Sequence, residues 1–305
     1  ILMKKILFIY NPKSGKGKTG RYAVDISSFF EDKGCEVDTY CTKAALDGQS
    51  AAYQNAGKYD LIVCAGGDGT LSEVVSGVME SGQSTPIGFI PTGSTNDTRP
   101  GFGIPKDIIG AAEQCLEGTP FQVDVGRFNN EYFTYVASLG SLSAVSCFTP
   151  QKMKNIFGHG AYVVEGIREL IKMESYNMQV FFEDRAIEGD FFLGLVTNSL
   201  SVGGFQGITG AHVDLQDGLF EVCLLKKPGN LGDFSKEVDR LFIHNKDDRE
   251  LINDVVVRFK TNKVVFRSDT PVQWVRDGEN GGKHKEAVIE VCSKAVTIMS
   301  SCASD

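Results

Sequence analysis

The sequence predicts an α/β protein in two parts: an N-terminal doubly wound parallel sheet over residues 1–125 and a C-terminal antiparallel, β-rich, sandwich-like domain over 126–295. The tail 296–305 is a candidate to join the first part. Three observations carry the prediction. Apolar runs and helical patterns alternate strictly up to about residue 125, as parallel βαβ units with right-handed crossovers require. Beyond Val123 the pattern changes to period-two strands with few helices, which reads as antiparallel sheet. Between them, Leu61 to Thr70 reads LIVCAGGDGT, a buried strand that breaks into glycines and opens a helix.

KILFIY is the first buried strand, GRYAVDISSFFEDKG a helix stopped by Gly34, and CEVDTYCT a short strand. A helix around GQSAAYQNAGK precedes the strand LIVCA. After GGDGT, Leu71, Val74, Val75, Val78 and Met79 recur at helical spacing, so an amphipathic helix begins at the loop. The strand PIGFIP and the helix IPKDIIGAAEQCLEG, ended by Gly118, close the first half. In the second, MQVFFED, FFLGLVTN, LFEVCLLKK, DVVVRFKTNKVVFRSD, VQWVRD and EAVIEVC read as strands, and GAYVVEGIRELIKM and DFSKEVDRLFIHN as helices.

Composition narrows the function classes. At 305 residues the chain exceeds one usual domain of ~150 residues, while 42% hydrophobic and 23% charged residues are ordinary for a globular protein. No window offers the ~20 apolar residues that cross a bilayer, and the opening ILMKKILFIY is too short and wrongly ordered for a signal peptide. The eight cysteines form no Cys-x-x-Cys pair, and several lie in apolar runs, as reduced thiols of a cytoplasmic protein would. A net charge of −8 argues against extended nucleic-acid binding.

The GGDGT loop points to phosphate. Glycines let the backbone curl and approach a ligand, and the following helix aims its N-terminal N–H groups at whatever sits there. Asp68 beside a phosphate is repulsive unless a cation lies between them or it awaits a proton, which suggests phosphoryl chemistry. Upstream, YNPKSGKGKTG imitates two nucleotide motifs. Gly15, Gly17 and Gly20 match a dinucleotide fingerprint formally, yet four residues separate the strand from the first glycine. Pro12 replaces the glycine that a P-loop requires. What survives is a basic loop in which Lys13, Ser14, Lys16 and Lys18 meet a polyphosphate, at the strand edge where open α/β sheets place ligands. A third loop, PTGSTNDTRPG, brings Gly93, Ser94, Thr95, Asn96 and Asp97 to another strand end. Asp277, Gly278 and Glu279 follow a late strand, and HVDLQDGLFEV offers Asp214 and Asp217, either as a turn or as a cation site.

Together NPKSGKGK, GGDGT, GSTND followed by GIP, the helix GAYVVEGIREL, the turn DGLFEV and the late DGE resemble the bacterial diacylglycerol kinase family of lipid kinases. That family shares its catalytic domain with sphingosine and ceramide kinases, and its fold with NAD kinase. The resemblance implies Mg²⁺-dependent transfer of the γ-phosphoryl group of ATP to a lipid hydroxyl. It implies Glu279 as the proton acceptor, with Asp68 and Asp277 as the other catalytic acids. Asn11, Ser14, Lys16, Thr42, Gly66, Gly67, Gly69, Thr70, Ser94, Asn96 and Asp97 would be nucleotide contacts. Asp217, with the carbonyls of Asp214 and Leu219, would match a structural Mg²⁺ site. The chain departs from the family pattern at Thr98, Arg99 and Pro100, at Gln216, where a second acid is common, and at Arg276.

The implied partners are a lipid substrate and, transiently, a membrane surface, so the expected place is the cytoplasm and the membrane periphery. Phe148, Lys152, Lys154 and Phe157 are candidates for that contact. A nucleic acid is not expected. Oligomeric state stays open, a homodimer included. Two rival readings also stay open: a kinase for a soluble acceptor such as NAD, and a catalytically silent lipid- or nucleotide-binding regulator.

Overall fold

The computed structural model describes residues 3–140, 174–203, 205–206, 213–227 and 250–301. The helices expected at GAYVVEGIRELIKM and DFSKEVDRLFIHN, and the expected membrane-contact residues Phe148 to Phe157, lie outside the described residues. The chain divides into two compact units. The first comprises the described residues of Ile1–Val125, Glu131–Thr134 and Cys292–Asp305, and the second those of Gly126–Asn130 and Tyr135–Val291.

In the first unit, strands β1 (Lys5–Tyr10), β2 (Glu36–Cys41), β3 (Leu61–Gly66) and β4 (Ile87–Pro91) pair in parallel in the order β2, β1, β3, β4. The C-terminal part of β16 (Glu279–Ser300) adds a further parallel strand, with Ile298 opposite Ile87. Every residue of β3 and β4 is buried, as expected of strands covered on both faces. The edge strand β2 carries Glu36, Asp38 and Thr39 exposed, which discourages pairing with another chain.

Helices α1 (Ser14–Asp32), α2 (Asp47–Asn55), α3 (Asp68–Ser81) and α4 (Ile108–Glu117) connect these strands. Leu71, Val74, Val75 and Val78 form the buried face of α3, and left-handed Gly82 ends it. The side chain of Asp107 caps α4 by accepting the Gly110 N–H at 2.6 Å. Cys35, Cys41, Cys64, Cys115, Cys223 and Cys292 are free thiols. Burial pushes Cys64 and Cys115 well above the usual thiol range, so both behave as small apolar residues.

The second unit is antiparallel. Strands β13 (Leu251–Ile252), β14 (Val256–Thr261), β12 (Phe220–Lys226) and β9 (Arg185–Thr197) pair in that order. Between β9 and β15 (Lys263–Arg276) lie β7 (Val136–Leu139) and β8 (Tyr176–Phe182), end to end, each pairing both neighbours. The N-terminal part of β16 completes the series against β15. Trp274 organises the packing, with the Phe128 and Phe266 rings 5.1 and 5.0 Å from its centroid. Strand β5 (Thr119–Phe128) leads from the first unit into the second and pairs β6 (Glu131–Phe133) and β16. A two-residue ribbon, β10 (Ser201–Val202) with β11 (Phe205–Gln206), accompanies them.

Candidate active site

Four loops leave the C-terminal ends of β1, β2, β3 and β4, and three of them touch. The first starts at Asn11, whose N–H donates to the Ala65 carbonyl at 3.0 Å and whose Oδ1 accepts the Lys13 N–H at 3.0 Å. Gly15, Lys16 and Gly17 then take successive left-handed conformations, with φ of 60°, 62° and 79°, and Lys16 is exposed. At Gly15 the requirement for glycine is steric, since a Cβ would stand 2.1 Å from the Thr92 carbonyl oxygen. Four residues on, Thr19 Oγ1 lies 2.5 Å from Thr92 Oγ1, fastening this loop to the end of β4.

The second and third loops are packed backbone to backbone. A Cβ on Gly93 would lie 2.5 Å from the Gly67 Cα, and one on Gly67 would lie 3.4 Å from the Gly93 Cα and 3.8 Å from Ser14 Oγ. The Gly66 carbonyl accepts both the Thr92 and Gly93 N–H groups, at 2.7 and 3.0 Å. These glycines therefore serve the fit of loop to loop. Thr70 folds its side chain back over Gly66, and Gly69 sits in the first turn of α3. The N-terminus of α3 is thus held in a fixed frame.

Asp68 is the first residue of α3, and its buried carboxylate clasps the third loop. Oδ2 accepts the Asp97 N–H at 3.0 Å, while Oδ1 accepts the Thr98 N–H at 3.1 Å and the Thr98 hydroxyl at 2.8 Å. Burial pushes this acid above the usual carboxylate range, the three bonds oppose the rise, and the nearby Asp97 charge adds to it. In the same loop Asn96 is left-handed, with φ of 54°, and donates from Nδ2 to the Gly93 carbonyl at 2.9 Å. Its buried Oδ1 has no hydrogen-bond partner. Ser94 is exposed, Asp97 is buried, and Arg99 donates to the Ile104 carbonyl at 3.0 Å. Thr42, after β2, is buried and donates its N–H to the Tyr10 carbonyl at 3.0 Å.

In the second unit Asp277 and Gly278 form a two-residue hairpin turn between β15 and β16, with φ of 46° and 85° and Arg276 opposite Glu279. Two positive φ values are the pattern of a type I′ turn. Buried Asp277 anchors it, its Oδ1 accepting the Tyr135 and Val136 N–H groups at 3.0 Å each. Glu279, just after the turn, is exposed. Arg276 lies over the Phe128 ring, 5.9 Å from its centroid, and burial lowers its affinity for the proton while Asp277 raises it.

The Asp214–Leu219 turn is built from two short side-chain clasps. Asp214 Oδ1 accepts the Gln216 N–H and Asp217 Oδ1 accepts the Leu219 N–H, each at 2.9 Å. Lys260 reaches it from β14, its Nζ 4.0 Å from Asp217 Oδ2 and 3.0 Å from Oε1 of Glu221. Glu221 is only 1% exposed, and burial raises its carboxyl to about 7 against the opposing pull of Lys260. Among the described residues no three His, Cys, Asp or Glu side chains gather as a metal cluster.

The model of the diacylglycerol kinase catalytic domain matches residues 5–128. Two curated proteins are similar over nearly the whole chain. A diacylglycerol kinase of Bacillus subtilis (strain 168) is 34% identical over 92% of this chain and 91% of its own length. One of Staphylococcus aureus (strain MRSA252) is 35% identical over 92% and 88%. The chain belongs to the diacylglycerol kinase family. Its members are phosphotransferases with an alcohol group as acceptor. The fold is also that of a diacylglycerol kinase crystal structure from Bacillus anthracis str. Sterne, with a TM-score of 0.75 at 20% identity over 98% of each chain.

Set against the family pattern, the described residues fit one metal and not the other. Asp68 and Asp97 bring two neighbouring buried carboxylates to a helix N-terminus, a like-charge pair that a divalent cation relieves. At the Asp214–Leu219 turn an ammonium already faces Asp217, and Gln216 removes an acid, so this donor set does not fit a bound Mg²⁺. Sequence reasoning missed Thr98, Lys260 and Glu221. Thr98 sits at a departure from the family pattern and carries no motif of its own. Lys260 and Glu221 meet only through the register that places them opposite each other on β14 and β12.

Proposed function

We propose that this protein transfers the γ-phosphoryl group of ATP to a hydroxyl of diacylglycerol or a related lipid. The observation that carries the reading is the interlocked triad of loops, with Gly15 on Thr92, Gly67 on Gly93 and Asp68 on Thr98, in a chain of this family. Such a frame is preorganised for a triphosphate, whose transfer depends on positioning and on charge stabilisation more than on covalent help from the protein.

In this reading Asn11, Ser14, Lys16, Gly67, Gly69 and the first amides of α3 cradle the phosphates, while Thr42, Gly66, Thr70, Ser94 and Asn96 complete the nucleotide contacts. Asp68 and Asp97 would hold Mg²⁺, which supplies positive charge to the transferring group. Glu279 accepts the proton of the attacking hydroxyl. The new bond joins lipid oxygen to phosphorus as the bond to the bridging oxygen breaks, and ADP leaves with the electron pair. Asp277 holds the hairpin that presents Glu279. The two domains divide the work at about residue 125, the first taking nucleotide and the second lipid. The setting is the cytoplasmic face of a membrane, met transiently. Among the described residues no helix is long and apolar enough to cross one.

An acceptor panel tests the assignment. With ATP and Mg²⁺, ADP release is expected with diacylglycerol micelles and not with NAD. Release with NAD alone would move the protein to soluble acceptors, and binding of lipid without any release would make it a silent regulator.

A further inference from the structure

The turn that begins β12 combines four features. Asp217 and Glu221 bring two carboxylates to one place, and Lys260, directly opposite Glu221 in the β12–β14 ladder, puts its ammonium 3.0 Å from Glu221 and 4.0 Å from Asp217. Glu221 is 1% exposed, and the Lys260 ammonium, 3.0 Å from its Oε1, is the positive charge that faces it. Oδ1 of Asp217 and Oδ1 of Asp214 are both engaged by turn amides. Finally, residue 216 is glutamine, which leaves the turn one acid short of a strong cation site.

We propose that Lys260 is the built-in counter-ion of this turn and occupies the electrostatic place of a divalent cation, so that the β12 end of the second unit folds without bound metal. Geometry sets the two against each other. A Mg²⁺ on Asp217 Oδ2 at ~2.1 Å would stand within about 6 Å of an ammonium that is 4.0 Å from the same oxygen. Both would compete for one carboxylate, and the lysine is tethered by its strand and also serves a buried acid that would otherwise lie uncompensated. A lysine held in this way is permanent, whereas a metal-held turn would loosen whenever the cation is withdrawn.

The test uses the full-length protein without nucleotide and reads melting temperature rather than activity, so it is independent of the proposed kinase reaction. Wild-type protein is expected to melt at the same temperature in EDTA and in millimolar Mg²⁺ or Ca²⁺, apart from any increment that the Asp217→Asn variant retains. Lys260→Gln is expected to melt several degrees lower in EDTA and to recover in millimolar Mg²⁺ or Ca²⁺, because two carboxylates without their ammonium become a cation site. Lys260→Arg keeps the charge and is expected to stay indifferent to metal even should the glutamine variant fail to fold. A metal-dependent increment in the wild type that Asp217→Asn abolishes would overturn the proposal. So would a Lys260→Gln protein that melts like the wild type in both conditions.

Discussion

Replacing Thr98 by valine removes one hydroxyl and nearly no volume, and its consequences can be worked from the geometry around Asp68. The hydroxyl donates to Asp68 Oδ1 at 2.8 Å inside the protein, beside two backbone amides that the substitution leaves in place. A hydrogen bond to a charged group contributes roughly 1.5–3 kcal/mol, and the Thr98 hydroxyl is one of the bonds that hold the charged form of Asp68, so its loss should push the carboxyl further up. The sign follows from linkage. Burial already holds Asp68 above its value in the unfolded chain, so the native state keeps the proton to higher pH, and stability falls as pH rises through that window. Loss of the hydroxyl extends the window upward.

Thr98→Val should therefore be destabilised by roughly 1.5–3 kcal/mol at pH 8 and by less in acid, where a growing share of Asp68 is neutral and the charge-assisted bond counts for less. Thr98→Ser, which keeps the hydroxyl, should stay close to the wild type. Urea unfolding at pH 8 and pH 5 measures the difference, and the acid limb of kcat/KM should move to higher pH. Equal destabilisation at both pH values, or a serine variant no better than valine, would refute the argument that this hydroxyl sets the charge of Asp68.

Glu279→Gln should lower kcat by about 10²–10⁴ while calorimetry shows nucleotide binding unchanged, as a lost proton acceptor requires. Asp277→Ala strands two buried amides and a left-handed turn, and it should cost roughly 3 kcal/mol in urea unfolding. A stable Asp277→Ala protein would show that the carboxylate is no anchor. Gly93→Ala forces a methyl to within 2.5 Å of the Gly67 backbone, so a loss of about 2 kcal/mol and a weaker nucleotide dissociation constant are expected together. Unchanged affinity in that variant would separate the loop frame from the nucleotide.

What could be read in advance follows from the range of the forces. Continuous apolar runs such as Leu61–Ala65 and Ile87–Ile90, and the helical recurrence of Leu71, Val74, Val75 and Val78, are local signals, and they place β3, β4 and α3 directly. The glycines of GGDGT and PTGSTND were legible as tight loops, yet their partners were not. Whether Gly93 spares room for a ligand or for Gly67 depends on two loops that are 26 residues apart in the chain meeting at one sheet edge. Asp277 shows the same ambiguity, since Asp-Gly is the preferred hairpin turn and also the family's acidic motif, and its carboxylate anchors Tyr135 and Val136 from far along the chain. The Lys260–Glu221 pair was hidden because strand register, which no motif records, sets it.

In the proposed reaction the GGDGT frame delivers a phosphoryl group to a lipid. Its most direct test is transfer of label from ATP carrying a radioactive terminal phosphate into chloroform-extracted lipid, with diacylglycerol micelles as acceptor. Labelled phosphatidic acid is expected from the wild type and none above background from Asp68→Ala. Label that never enters the lipid phase, or that enters equally with Asp68→Ala, would contradict it.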